Sequence, residues 1–149
     1  LSDNQENNPT QPKDQNSSNA KWFHLDKYEQ KCFKKIIEAY DEIMRVVEDI
    51  PKIANSYQLT VEEVRRAKDY AFGSGVSQHK FIPDEDMALA WERLALGQGN
   101  AIDEVLLRHE IFESDLVINQ GMNQKSAHEI AQSRYPWSEL LKQKWRTNE

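Results

Sequence analysis

Leu106-Leu107-Arg108-His109-Glu110-Ile111-Phe112-Glu113 is the stretch whose reading decides the fold. Its apolar residues, continued by Leu116 and Val117, surround a histidine and two carboxylates. Residues one and four apart project to the same side of a helix, so His109, Glu110 and Glu113 converge if this is one. Ionisable groups against an apolar face cost free energy unless they are paired or do chemistry. Past Gly121 the chain supplies Ser126-Ala127-His128, a second histidine on the next helix. At about 1.5 Å rise per residue, Glu113 lies on the order of 10 Å from that glycine, and an antiparallel return brings His128 opposite it. His109 joins them only if the two helices cross at a suitable angle.

Helical signals recur on both sides. Asn100 caps the helix that carries this stretch to about Gln120, where Gly121 ends it. Asn123 caps the following helix to about Arg134, and Pro136 opens a last short one through Leu140, Leu141 and Trp145. Asp84 to Leu96 reads as a helix with Met87, Ala90, Trp91 and Leu94 as its stripe. Asp84 and Asp86 lie in its first turn, where the helix dipole favours negative charge. Thr60-Val61-Glu62-Glu63 is a capping box opening a helix to Phe72, with Gly73 past its end, and Gly73 to Pro83 reads as a loop holding His79 and Lys80. From Asp26 to Ile50, Phe33, Ile36, Tyr40, Ile43, Val47 and Ile50 recur in steps of three and four: an amphipathic helix stopped by Pro51. No segment alternates as a strand does, and none repeats. The expected fold is all-α, a compact bundle of about five to six helices.

The chain divides by composition. Residues 1–20 are Asn, Gln, Ser, Pro and Asp without apolar periodicity, and read as a disordered polar linker. Residues 21–58 form the N-terminal amphipathic element, whose stripe suits packing on the domain's own core better than a coiled coil. Residues 59–149 form the helical domain proper. With 149 residues, 38% of them hydrophobic, the chain is long enough for one modest domain with a core.

A net charge of −6 argues against broad adhesion to nucleic acid or anionic membrane, though a local basic groove remains open. Cys32 is the only cysteine, which excludes a disulfide framework and a thiolate metal cluster. No apolar run reaches membrane length and no basic-then-apolar leader is present. The chain therefore reads as a soluble protein or, since it begins at Leu1, as a fragment of a larger one.

Two chemistries fit the histidines and carboxylates. In one, His109, Glu113 and His128 bind a divalent metal and Glu110 acts as base or supporting group. The i, i+4 pair resembles the metal spacing of His-Glu-x-x-His enzymes, with a glutamate where the second histidine belongs. In the other, the histidines act as general acid and base while the carboxylates fix their tautomers, and Arg65, Arg66 and Lys68 bind a phosphate. The competing structural reading is a buried His–Glu network joining two helices. Asp84 and Asp86 suit capping better than ligation on composition. Trp91, Tyr135 and Trp137 read as core aromatics, Cys32 as a partly buried structural thiol, and His24 and His79 lack a partner in the sequence pattern.

The motifs also follow one another in a recognisable order: Val61-Glu62-Glu63-Val64, Lys68-Asp69-Tyr70-Ala71-Phe72, Phe81-Ile82-Pro83-Asp84-Glu85-Asp86-Met87, Ala90-Trp91-Glu92-Arg93-Leu94, Leu107-Arg108-His109-Glu110 to Glu113, Gly121-Met122, Ala127-His128 and Tyr135-Pro136-Trp137. Over roughly Leu59 to Trp137 this series resembles the C-terminal toxin (effector) domains of bacterial polymorphic toxins. Those are large proteins of the Rhs, filamentous-haemagglutinin or contact-dependent-inhibition type. The resemblance implies a secreted or surface-delivered effector acting in the target-cell cytoplasm, with a cognate immunity protein as partner. It marks Lys68, Asp84, Asp86, His109, Glu110, Glu113 and His128 as the polar positions that matter, and leaves the 26–50 helix as a neck, entry element or immunity contact. The expected activity is a hydrolase cleaving phosphodiester bonds in RNA or DNA. His109 and His128 share acid–base or metal duties, Glu113 orients or ligates, Glu110 is base or support, and Lys68 and Arg65 hold substrate. A metal-dependent hydrolase on a target other than nucleic acid, and a non-enzymatic interaction domain, are the alternatives.

Overall fold

The computed structural model describes residues 20–148. Of the segment read as a linker, all but Ala20 lies outside the described residues. Nine α-helices and one π-helical turn occur among the described residues, and no strand. In chain order they are α1 (Lys27–Cys32), α2 (Lys34–Arg45), α3 (Asp49–Tyr57), α4 (Val61–Phe72), α5 (Ser74–His79), α6 (Glu85–Ala95), α7 (Ala101–Ser114), the π turn (Asp115–Asn119), α8 (Gln124–Arg134) and α9 (Trp137–Asn148).

All-α is right, and five to six helices is too few. The 26–50 pattern is three pieces. At Phe33 (φ −96°, ψ 14°) the chain kinks while its N–H still reaches the Glu29 carbonyl. At Val46 it becomes extended (φ −81°, ψ 135°). The second break has a side-chain cause: the Lys68 ammonium binds the Val46 carbonyl and, at 2.9 Å, the Asp49 carboxylate, which also accepts from Trp91 Nε1 at 3.0 Å. Pro51 does not stop a helix. It lies in the first turn of α3, where an N–H has no helical acceptor and its loss costs nothing. The expected loop 73–83 contains α5, set close against α4. A Cβ at Gly75 would stand 2.0 Å from the Tyr70 carbonyl oxygen, so only glycine permits that approach.

The caps at Thr60, Asn100 and Asn123 fall where the sequence places them. Segment 21–58 packs on the domain's own core. Trp22, Leu25, Tyr40, Ile43, Ile53 and Ala54 are buried in one cluster with Val64, Phe72, Trp91, Leu94 and Leu107. A smaller cluster of Ala90, Leu106 and Trp137 seats α9. Helix α7 is central, touching α4, α6, α8 and α9. This explains its weak amphipathicity: Leu106 and Leu107 are buried, and so are Asp103, His109, Glu110, Glu113 and Ser114. Each buried polar group then needs a partner or a purpose. Asp103 has a fork of bonds from Arg93, at 2.7 and 2.9 Å. No helix among the described residues is long and apolar enough to cross a membrane.

Candidate functional site

Three of the four central residues meet at one atom. Glu113 Oε1 lies 2.8 Å from His109 Nε2 and 3.0 Å from His128 Nδ1. One helical turn of α7 supplies the first pair. The reversal through the π turn and Gly121, whose φ is +74°, supplies the third by laying α8 back against α7. The Asn123 side chain caps α8 through the Ser126 N–H and so sets its start. His109 and Glu113 are buried, whereas the His128 side chain is half exposed.

The other carboxylate oxygen of Glu113 is held separately. Tyr70 donates its hydroxyl to Oε2 at 2.5 Å and Gln124 donates to it at 3.2 Å. His109 Nδ1 donates to the Tyr135 carbonyl at 3.0 Å. Sequence reasoning gave Tyr70 and Gln124 no role and read Tyr135 as core. Gln124 lies four residues before His128, so helical spacing alone could have put it on the same face. Nothing in the spacing announces Tyr70, which arrives from α4.

The electrostatics follow from burial and these bonds. Burial favours neutral Glu113, but the donors from His109 and Tyr70, the charge on His109 and the bond from His128 overcome it and hold its pKa at about 2. Burial likewise opposes charge on His109; the Glu113 bond, the Glu110 charge and the Tyr135 carbonyl outweigh it, and its pKa is raised. Burial pushes the Tyr70 phenol upward, as does Glu113, so it stays a donor.

Glu110 differs from its neighbours. It is only 8% exposed, no described side chain or backbone group hydrogen-bonds to its carboxyl, and burial lifts its pKa to about 8 despite the opposing charge of His109. It lines a cavity of about 220 Å³ together with Glu113, His128, Gln124 and Asp84, closed by Tyr40, Ala71, Phe81, Ile82 and Met87. Asp84 is also the N-cap of α6, accepting from the Asp86 and Met87 N–H groups at 2.8 and 3.2 Å. Asp86 does not line this cavity. It sits in the first turn of α6, where burial and the charges of Asp84 and Glu85 raise its pKa.

The basic residues lie elsewhere. Lys68 is 2% exposed and tied to Asp49 and Val46 as an internal strut. Arg66 donates to Ser114 Oγ and the Ile111 carbonyl, both at 3.0 Å. Arg65 is exposed and paired with Glu62. A larger groove of about 660 Å³ is lined by Arg65, Arg66 and Lys68 together, and by none of the His/Glu cluster. His24, for which the sequence offered no partner, donates from Nε2 to the Phe81 carbonyl at 2.7 Å. Cys32 is exposed, not partly buried.

No family model matches the chain, and neither a curated protein nor a solved structure shows significant similarity to it.

Proposed function

We propose that this chain is a hydrolase effector of the polymorphic-toxin kind, working through His109, Glu110, Glu113 and His128 on a substrate other than nucleic acid. One observation carries the hydrolytic reading. Glu110 makes no hydrogen bond among the described residues, and its carboxyl lines a cavity beside the bonded His109–Glu113–His128 cluster. A network kept only to join two helices gains nothing from a further carboxyl that bonds to none of its members and lines a cavity. A carboxyl that exchanges a proton with a substrate, as donor while it is protonated, does have a use for that position.

The lining of the cavity bears on the substrate. Three carboxyl groups border it and no lysine or arginine does. A phosphodiester, the substrate expected from the sequence, meets no protein cation at that wall and depends on a bound metal ion to offset its charge. An uncharged amide or ester suits the mixed apolar and acidic lining better. Delivery as part of a larger secreted or surface protein, and neutralisation by a cognate immunity protein, belong to the same proposal. The half-exposed His128 is where an inhibitor would first touch the cluster.

Incubating the chain separately with total RNA, plasmid DNA and a mixture of cellular proteins and model esters tests this reading, with Glu110→Gln as control. The expected result is cleavage of a protein or ester substrate that the variant lacks. Cleavage of RNA or plasmid by the parent and not the variant restores the phosphodiester reading. Activity equal in both removes Glu110 from the mechanism.

A further inference from the structure

We propose that His109 Nε2, Glu113 Oε1 and His128 Nδ1 are the three protein ligands of one divalent transition-metal ion, of the zinc class, whose open position faces the cavity that Glu110 lines. The three atoms lie within 4.8 Å of one another. Bonds of about 2.0–2.1 Å to a tetrahedral ion place ligand atoms about 3.3 Å apart. The present 2.8 and 3.0 Å separations open by about half an ångström or less to admit it, and the two imidazole nitrogens, within 4.8 Å of each other, settle to about the same spacing.

The hydrogen positions point the same way. His109 faces an acceptor at each ring nitrogen, the Tyr135 carbonyl at Nδ1 and Glu113 Oε1 at Nε2. A carbonyl accepts only, so it keeps a proton on Nδ1, and the proton shared between Nε2 and Glu113 is the one a metal ion displaces to solvent. His128 Nδ1 is aimed at the same carboxylate oxygen from the other helix. An ion at their meeting point satisfies both imidazoles and the carboxylate together.

The surrounding bonds are those a ligand set requires. Tyr70 and Gln124 hold Glu113 Oε2, which orients the carboxylate and leaves Oε1 for the metal. Metal-binding histidines characteristically donate their second N–H to a carbonyl or carboxylate, as His109 does to Tyr135. Two imidazoles and one carboxylate select zinc or a neighbouring transition metal over magnesium or calcium, which take oxygen ligands. Structural zinc is closed by four protein ligands, whereas three with an open side mark a reactive site. The open side here is the cavity bordered by Glu110.

The inference rests on the geometry of the cluster and not on which bond is cut. Its test is calorimetric titration of the metal-stripped chain with Zn²⁺, with Co²⁺ absorption as a second readout of coordination. We expect one ion per chain, tetrahedral Co²⁺ bands, and affinity weakened at least about 100-fold in Glu113→Gln and in His128→Ala. Tyr70→Phe should weaken it by about 10- to 100-fold, and Glu129→Gln, exposed on the same helix as His128, should leave it unchanged. The half-exposed position of His128 keeps its variant informative even if Glu113→Gln fails to fold. Failure to take up either ion, or uptake unaltered in His128→Ala, overturns the assignment. A chain that binds zinc and cuts nothing keeps this inference and loses the hydrolase reading.

Discussion

His109 Nδ1 lies 3.0 Å from the carbonyl oxygen of Tyr135, a residue 26 positions later at the junction of α8 and α9. The bond ties the tautomer of a buried histidine on the central helix to the backbone at the far end of its neighbour. It leaves Nε2 directed at Glu113, and hence at His128. The order of the cluster thus depends on how α7, α8 and the start of α9 pack, not on α7 alone.

Glu110→Gln should leave the fold intact and lower activity by about 10²- to 10⁴-fold, the range for loss of a general acid or base. Replacing a buried carboxyl that makes no hydrogen bond removes a desolvation cost. Thermal melting is therefore expected to be unchanged or slightly raised. A variant that loses activity only because it melts at the assay temperature would contradict the assignment.

Lys68→Met should act on stability. It removes one partner of a buried pair with Asp49 and strands that carboxylate, at a cost of about 3–5 kcal/mol. Chemical denaturation measures this directly. A fully stable variant with impaired turnover would return Lys68 to the substrate.

Arg65→Ala should do little of either kind. Its guanidinium is exposed and pairs with Glu62 one turn away, an interaction worth about 0–1 kcal/mol. A large loss of turnover in this variant would show that the substrate reaches the groove beside α4.

Gly75→Ala should damage the cluster from a distance. The added methyl meets the Tyr70 backbone at 2.0 Å, and displacing Tyr70 disturbs the hydroxyl that holds Glu113. Expected are a lower melting temperature and reduced activity together. The same change at Gly97 meets no neighbouring atom, and costs only the strain of its φ of +76°. Equal melting temperatures for the two variants would rule out the close approach at Gly75.

Local signals in the chain settle a good deal. The capping residues Thr60, Asn100 and Asn123 begin helices because their side chains satisfy N–H groups that the helix itself leaves free. The i, i+4 spacing makes His109 and Glu113 neighbours, since it depends on the geometry of a single helix. Gly121 marks a reversal through the backbone freedom it alone allows there. What lies beyond one helix was not legible. The break at Val46 comes from Lys68, 22 residues later, drawing its carbonyl and Asp49 inward, and no local pattern encodes that. Lys68, Arg65 and Arg66 look like a basic patch in the sequence and do line one groove, but the salt bridge inside, the surface pair and the helix-end contact that each also makes come from the tertiary packing. Tyr70 reaches Glu113 from α4, and Glu110 ends without a partner beside a cavity, only because α4, α6, α7 and α8 pack as they do. Spacing along a helix is a property of the chain; whether a buried charge finds a partner or a void depends on which helices enclose it.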